Sequence, residues 1–299
     1  MYDIISKTKY AYIFSGILAV LSILSLFFWG LKFGIDFTGG TLMEIKFEGD
    51  IPKSHEIQDV LKELNLKSLI VQRSEGGSIL LRYASEEDKV NEDVWKTINN
   101  KYPQSKQLKV DYINSSVSDE LKKNSLWAIF LAVVAIMAYI AWAFRKVSRP
   151  VPSWKYGLGA IIALIHDILI TVGFFSILGR FLGIEVGIPF VAALLTILGF
   201  SVHDTIVVYD RTRENLLRGL GKEKFPETVN RSLNETLVRS VNTSMTVIIT
   251  LLAIYIFGGS SIKDFSLALL IGITLGTYSS IFIASALLVT SYNWQTGKK

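Results

Sequence analysis

Cysteine is absent from all 299 residues, and that absence excludes two kinds of organisation: a disulfide framework and a thiolate metal site. It also suits a domain exported to an oxidising side. Hydrolytic motifs are missing too. The chain has no phosphate-binding loop, no GxSxG elbow, no HExxH and no paired glycine-rich nucleotide fingerprint, so it carries no parts for hydrolysing ATP or a peptide. The expectation is a protein that is not an enzyme and that needs no cofactor. Histidine is scarce, with three in all. His55, beside Glu56, falls on the exposed side of a predicted helix and reads as surface.

What the chain has in plenty is apolar sequence. Half of its residues are hydrophobic and the mean hydropathy is +0.40. Several segments reach the ~20 apolar residues that a helix needs to cross about 30 Å of hydrocarbon. Six spans are predicted, over residues 10–31, 126–144, 156–178, 186–209, about 238–257, and 265–289. The first is too long for the apolar part of a signal peptide and is followed by no small-residue cleavage site, so it reads as an uncleaved span.

Arg145, Lys146, Arg149 and Lys155 meet no acidic residue between spans two and three, which puts that loop in the cytoplasm. Lys7, Lys9, the basic segment 211–239, Lys298 and Lys299 then share that side, and both termini are expected there. The opposite hairpins are nearly balanced, Arg180 against Glu185 and Lys263 against Asp264. The net charge of +5 is thereby read as topology and contact with anionic membrane lipids, not as nucleic-acid binding.

Residues 32–125 form the one polar stretch long enough for an extracytoplasmic domain, which divides the chain into 1–31, 32–125 and 126–299. Met43, Ile45 and Phe47 alternate with Glu44, Lys46 and Glu48 as in a strand. Ile57, Val60, Leu61 and Leu64 have helical spacing, opened by Pro52 and Ser54. Residues 69–73 and 78–83, joined at Glu75-Gly76-Gly77, read as a hairpin. Ser85 with Asp88 resembles a capping box ahead of Val90, Val94 and Ile98 on one helix face. Leu108, Val110 and Tyr112 supply a last strand. The order is βαββαβ, the ferredoxin-like α+β arrangement.

Two histidines lie inside apolar spans, each followed by an aspartate: His166-Asp167 and His203-Asp204. One Asp at a helix centre costs about 2.5–3.5 kcal/mol on insertion scales unless it faces a partner or a water-filled cavity, so these pairs point to proton or ion handling. Asp204 lies about 9 Å along the helix from Asp210. Arg239, at the start of span five, is expected to snorkel toward that level and pair with ionised Asp204. Protonation would release such a pair and let the helices repack. Asp167 and His166 are equally consistent with helix-to-helix hydrogen bonding. Gly272 and Gly276 form a GxxxG step in span six, a sign of close helix packing.

Phe33-Gly34-Ile35-Asp36-Phe37-Thr38-Gly39-Gly40-Thr41 after the first span resembles the signature at the start of the outer domain in the SecD/SecF family of protein-export membrane proteins. Residues 163–167 (ALIHD), 199–215 (GFSVHDTIVVYDRTREN), 236–240 (TLVRS) and Phe257-Gly258-Gly259 are similar to further motifs of that family, in the same order and spacing. At position 203 this chain has His where many members carry Asn, which places an ionisable imidazole where an amide cannot ionise.

The resemblance implies six transmembrane helices as one half of an RND-like assembly, with a separate SecD chain as partner. It further implies engagement of the SecYEG channel and SecA-driven preproteins, and use of the proton-motive force in late translocation across a bacterial cytoplasmic membrane. On the matching motifs, Asp204, Arg239, His203, Asp167 and His166 are the residues expected to couple protons. Asp36, Gly39, Gly40, Thr205, Asp210 and Arg211 are expected to shape the structure. The readings left open beside this one are an autonomous proton-coupled RND-type exporter of small amphiphiles and a structural partner that only stabilises SecD.

Overall fold

The computed structural model describes residues 2–74, 76–145, 150–219 and 223–297. The expectations for Glu75, Lys146, Arg149, Lys298 and Lys299 fall outside these. The first long helix, α1 (Thr8–Trp29), ends at Gly30 and leads through a short turn, α2 (Ile35–Thr38), into a compact α+β unit. That unit comprises β1 (Gly40–Phe47), α3 (Ser54–Leu61), β2 (Ile70–Arg73), β3 (Ser78–Tyr83), α4 (Asp88–Lys101) and β4 (Ser105–Ile113). Five helices follow: α5 (Ser115–Ala143), α6 (Ser153–Leu182), α7 (Ile188–Gly219), α8 (Phe225–Phe257) and α9 (Ser260–Ser279). A π-helical turn over Ser280–Ala284 then joins α9 to α10 (Ser285–Thr296).

The α+β unit has the predicted βαββαβ order. Its four strands are antiparallel in the order β2-β3-β1-β4, the ferredoxin-like topology. Met43, Ile45, Ile57, Leu61, Ile79, Leu81, Val94 and Ile98 are buried between the sheet and its two helices, as their periodicities require.

Two local expectations are corrected. The first residue of α4 is Asp88 and its cap position is Glu87; Ser85 instead accepts the Glu87 N–H at 3.3 Å, so there is no Ser85–Asp88 capping box. In β4, Leu108 is exposed because a bulge between Glu44 and Ile45 leaves it without a partner, whereas Tyr112, in regular register with Thr41, is exposed on the edge strand and donates to Asp88 at 2.9 Å.

Among the described residues, six helical segments are long and apolar enough to cross a membrane: Ile5–Trp29, Ser116–Ala143, Ser153–Leu182, Ile188–Arg218, Phe225–Phe257 and Ile262–Thr296. All six expected spans are present. Most run longer than hydropathy alone implies, because polar turns continue as helix. The segment 211–239 is largely two helical arms, held together by Arg211 on α7 and Glu235 on α8. Asn114 caps α5 by accepting the Ser116 N–H at 3.0 Å, so the α+β unit leads directly into span two.

The glycine step in span six packs on span four. A side chain at Gly272 would collide with Ile197, and a Cβ at Gly276 would sit 2.9 Å from Ser201 Cβ. Gly39 and Gly40 have φ of 76° and 147°, and a Cβ on Gly40 would strike the Tyr83 carbonyl oxygen. Gly40→Ala is therefore expected to lower stability by about 1–3 kcal/mol through combined strain and collision. Gly16→Ala, with nothing within 4 Å of the added carbon, is expected to leave the melting temperature unchanged. Thermal unfolding of the two purified variants checks both.

Candidate functional site

Three of the membrane helices meet at one carboxylate. Asp167 on α6 is fully buried, with 0% of its surface exposed. Its Oδ2 accepts hydrogen bonds from Ser201 Oγ on α7 and Ser279 Oγ on α9, each at 2.7 Å. Its Oδ1 lies 2.9 Å from Nδ1 of His166. The other ring nitrogen, Nε2, is buried and has no hydrogen-bond partner among the described residues. The helices approach this closely because the positions around the carboxylate are small: Gly276 lies directly against Ser201.

Asp204, three residues beyond Ser201 on α7, is the second buried carboxylate. Ser244 Oγ on α8 lies 3.3 Å from its Oδ2, and Thr277 on α9 donates to Ser244 Oγ at 2.6 Å. Thr205 lies between the two centres. Its hydroxyl is 2.9 Å from Ser280 Oγ, and Ser280 in turn donates to the Ser201 carbonyl at 3.2 Å. At the end of the π-helical turn, the Ala284 carbonyl accepts Tyr209 OH at 3.0 Å. The result is a belt of hydroxyls across α6, α7, α8 and α9 that holds the two carboxylates in separate hydrogen-bonded sets, one at Asp167 and one at Asp204.

The expected Asp204–Arg239 pair is absent. Arg239 is exposed and makes no ion pair among the described residues, while Ser240 and Ser244 on the same helix face inward. One residue turns a helix by about 100°, so a side chain next to Ser240 points away from the belt. His203 is likewise exposed, one residue from Asp204, and does not join His166 at the buried site.

Asp210 is exposed, with Arg213 at 3.8 Å. Arg211 has a definite structural place. It donates to Glu235 at 2.5 Å and Glu214 at 2.6 Å, and Asn215 reaches the same Glu235 at 2.8 Å. The i,i+4 pair of Glu214 with Arg218 is present at 2.5 Å.

Asp36 has a role that sequence reasoning left undefined. Its Oδ2 accepts the Ile188 N–H at 3.0 Å, so it caps the start of α7 from a distant part of the chain. Gly187 allows the approach, since any side chain there would strike that oxygen. Beside it, Gly34 donates to the Val186 carbonyl at 2.9 Å and Val186 to the Lys32 carbonyl at 2.8 Å. The base of the α+β unit is thus stitched to the helix that carries Ser201, Asp204 and Thr205.

Two family models match the chain. One described as protein export membrane protein SecD/SecF, C-terminal, covers residues 93–294, and the SecD/SecF GG motif covers residues 24–51. The protein translocase subunit SecF of Thermobaculum terrenum is 45% identical over 306 residues, covering 98% of this chain and 95% of the relative. That of Sebaldella termitidis is 42% identical over 289 residues, covering 94% and 89%. The crystal structure of SecDF, a translocon-associated membrane protein from Thermus thermophilus, superposes with a TM-score of 0.81 at 32% identity. It covers 99% of this chain, which spans 39% of the SecDF chain. SecDF in its super-membrane-facing form gives a TM-score of 0.73.

The two carboxylates differ in how firmly they are held, and this predicts different costs of removal. Asp167→Ala leaves Ser201, Ser279 and His166 without their acceptor and is expected to destabilise the chain by about 3–5 kcal/mol. Asp204→Asn, which exchanges one long contact for a neutral one, is expected to cost less than about 1 kcal/mol. Melting curves of the detergent-solubilised variants decide between equal and unequal roles.

Proposed function

Since the chain belongs to the SecD/SecF family of protein-export membrane proteins, we propose that it is a subunit of the Sec protein translocase. In this role it works with a separate SecD chain to couple the proton-motive force to late translocation. The membrane is a bacterial cytoplasmic membrane, with both termini in the cytoplasm and residues 32–125 outside. The SecYEG channel and SecA-driven preproteins are the further partners, and protons are the coupling ion, with no bound cofactor.

The observation that carries this reading is the set of donors around Asp167. An ionised carboxylate accepts from both serines, and from His166 in the tautomer that carries its proton on Nδ1. Once protonated, it gains an O–H that needs an acceptor, and the hydrogen bonds with Ser201, Ser279 and His166 rearrange to supply one. Those side chains sit at the contact of α6, α7 and α9, so a proton arriving there changes which packing is favoured. His166 Nε2, buried and without a partner among the described residues, is the end through which a proton would reach Nδ1 and Asp167.

One proton moved through the potential supplies about 2.3 kcal/mol per 100 mV, enough to bias a two-state element with a gap of a few kcal/mol. Movement of α7 would be passed through Asp36 to the base of the α+β unit. Asp204 extends the belt toward α8. Arg239 and His203, on outward helix faces, are placed in this proposal against SecD. The curated relatives are named as translocase subunits, which favours protein export over export of small amphiphiles.

Preprotein translocation into inverted membrane vesicles at saturating ATP, with the cognate SecD present, tests the proposal. Asp167→Asn and Asp204→Asn are expected to abolish the component that depends on the proton-motive force while the complex still assembles. Unchanged rates in both would reduce the chain to a structural subunit. Arg239→Gln is expected to lower the same component without altering the melting temperature of the isolated chain, because its contacts lie outside the chain.

A further inference from the structure

A groove of about 710 Å³ lies where α1 and α6 end, on the side of the α+β unit, and Phe28, Trp29, Lys32, Arg180 and Gly183 line it. Its depth is marked by aromatic side chains. Phe28 and Phe181 are each 69% exposed, and the Trp29 and Phe181 rings meet edge-on at 5.4 Å. Tryptophan and other aromatics at the ends of apolar helices mark the level of lipid headgroups.

The charges of this groove are not those that pairing by loop would give. Balancing Arg180 against Glu185 leaves the hairpin neutral, but the folded chain pairs Glu185 with Lys32. The Nζ–Oε1 distance is 3.4 Å, and the Glu185 side chain is only 8% exposed. Arg180 is exposed and has no carboxylate partner among the described residues. Gly183, left-handed at φ 72°, turns the chain back so that its carbonyl lies 3.4 Å from Lys32 Nζ. A Cβ added to Gly179 would sit 3.2 Å from Lys32 Cβ, so Lys32 lies against α6 beside Arg180 and both cations border the same groove. Two cations against one engaged carboxylate leave a net positive charge, with a free guanidinium at its edge.

We propose that this groove holds the phosphate headgroup of an anionic phospholipid from the leaflet on the side of the α+β unit. Arg180 takes the phosphate oxygens with its planar fork and Lys32 adds a second positive charge. The acyl chains run along the exposed face of Phe27 and Phe28 at the end of α1. A soluble phosphate would use the polar half of the groove and leave its apolar wall empty, which is the reason to favour a lipid. The inference is independent of the proton-coupling reading.

The test uses the full chain in neutral detergent and native mass spectrometry, with phosphatidylglycerol, phosphatidylcholine and inorganic phosphate as separate probes. Phosphatidylglycerol is expected to be retained about fivefold better than phosphatidylcholine, the effect of one cation near a lipid surface. Arg180→Gln is expected to lose that preference. Arg180→Lys, which keeps the charge without the fork, is expected to retain part of it, and Lys263→Gln, on the other hairpin, all of it. Equal retention by wild type and Arg180→Gln would overturn the proposal and leave Arg180 as a cation complementing the end of α6. Displacement of the lipid by millimolar inorganic phosphate would overturn it in favour of a free-anion site. Melting temperatures of the variants separate a lost site from a lost fold.

Discussion

The membrane half of this protein is organised by the need to satisfy a buried carboxylate from within the helix bundle. Asp167 cannot stand at that depth alone, and α7 and α9 each bring a serine to it at 2.7 Å. Bringing those hydroxyls so close requires helices without bulk at the contact. Gly272 against Ile197 and Gly276 against Ser201 meet that requirement. Close packing and polar chemistry are therefore one constraint here: a larger residue at either glycine would separate the helices that hold the carboxylate. Between helices surrounded by lipid, small residues and interhelical hydrogen bonds supply much of the association that the hydrophobic effect supplies in water.

The same economy links the two halves of the molecule. The α+β unit does not hang from a flexible tether. Gly34 and Lys32 pair with Val186, and Asp36 caps α7 at Ile188. A negative side chain at a helix N-terminus satisfies orphan N–H groups and complements the helix dipole, so separating the two would expose both. The glycine pair that follows lets the chain leave this junction and enter β1 directly, since Gly40 lies too close to Tyr83 to carry any side chain. At the opposite end of the spans, Arg211 ties the arms of α7 and α8 together through Glu235. Helix α7 is thus fixed at both ends and polar in its middle.

Much of this was legible in the sequence, and the reason differs by region. The ferredoxin-like unit was read from alternation and helical spacing, because one face of each element is buried and the pattern records it. A single bulge took Leu108 out of the pattern in β4. Asp167, His166 and Asp204 stood out because charge within an apolar run is rare. Their hydroxyl partners did not. Ser244 and Thr277 also bond the carbonyl four residues back in their own helices, at 2.9 Å each, so such residues are ordinary in a span and carry no signal.

Span number, the order of the outer unit, the family motifs and the positions of intramembrane charge were set by the sequence itself, since each depends on the local run of residues. Which charges meet was decided by the tertiary structure. Arg239 sits one residue from an inward-facing serine and looks outward, and Glu185 turns from Arg180 to Lys32. His166 joins Asp167, whereas His203 faces away from Asp204's buried side. Partner choice depends on helix rotation and on chain segments more than a hundred residues apart, and neither is encoded in local pattern.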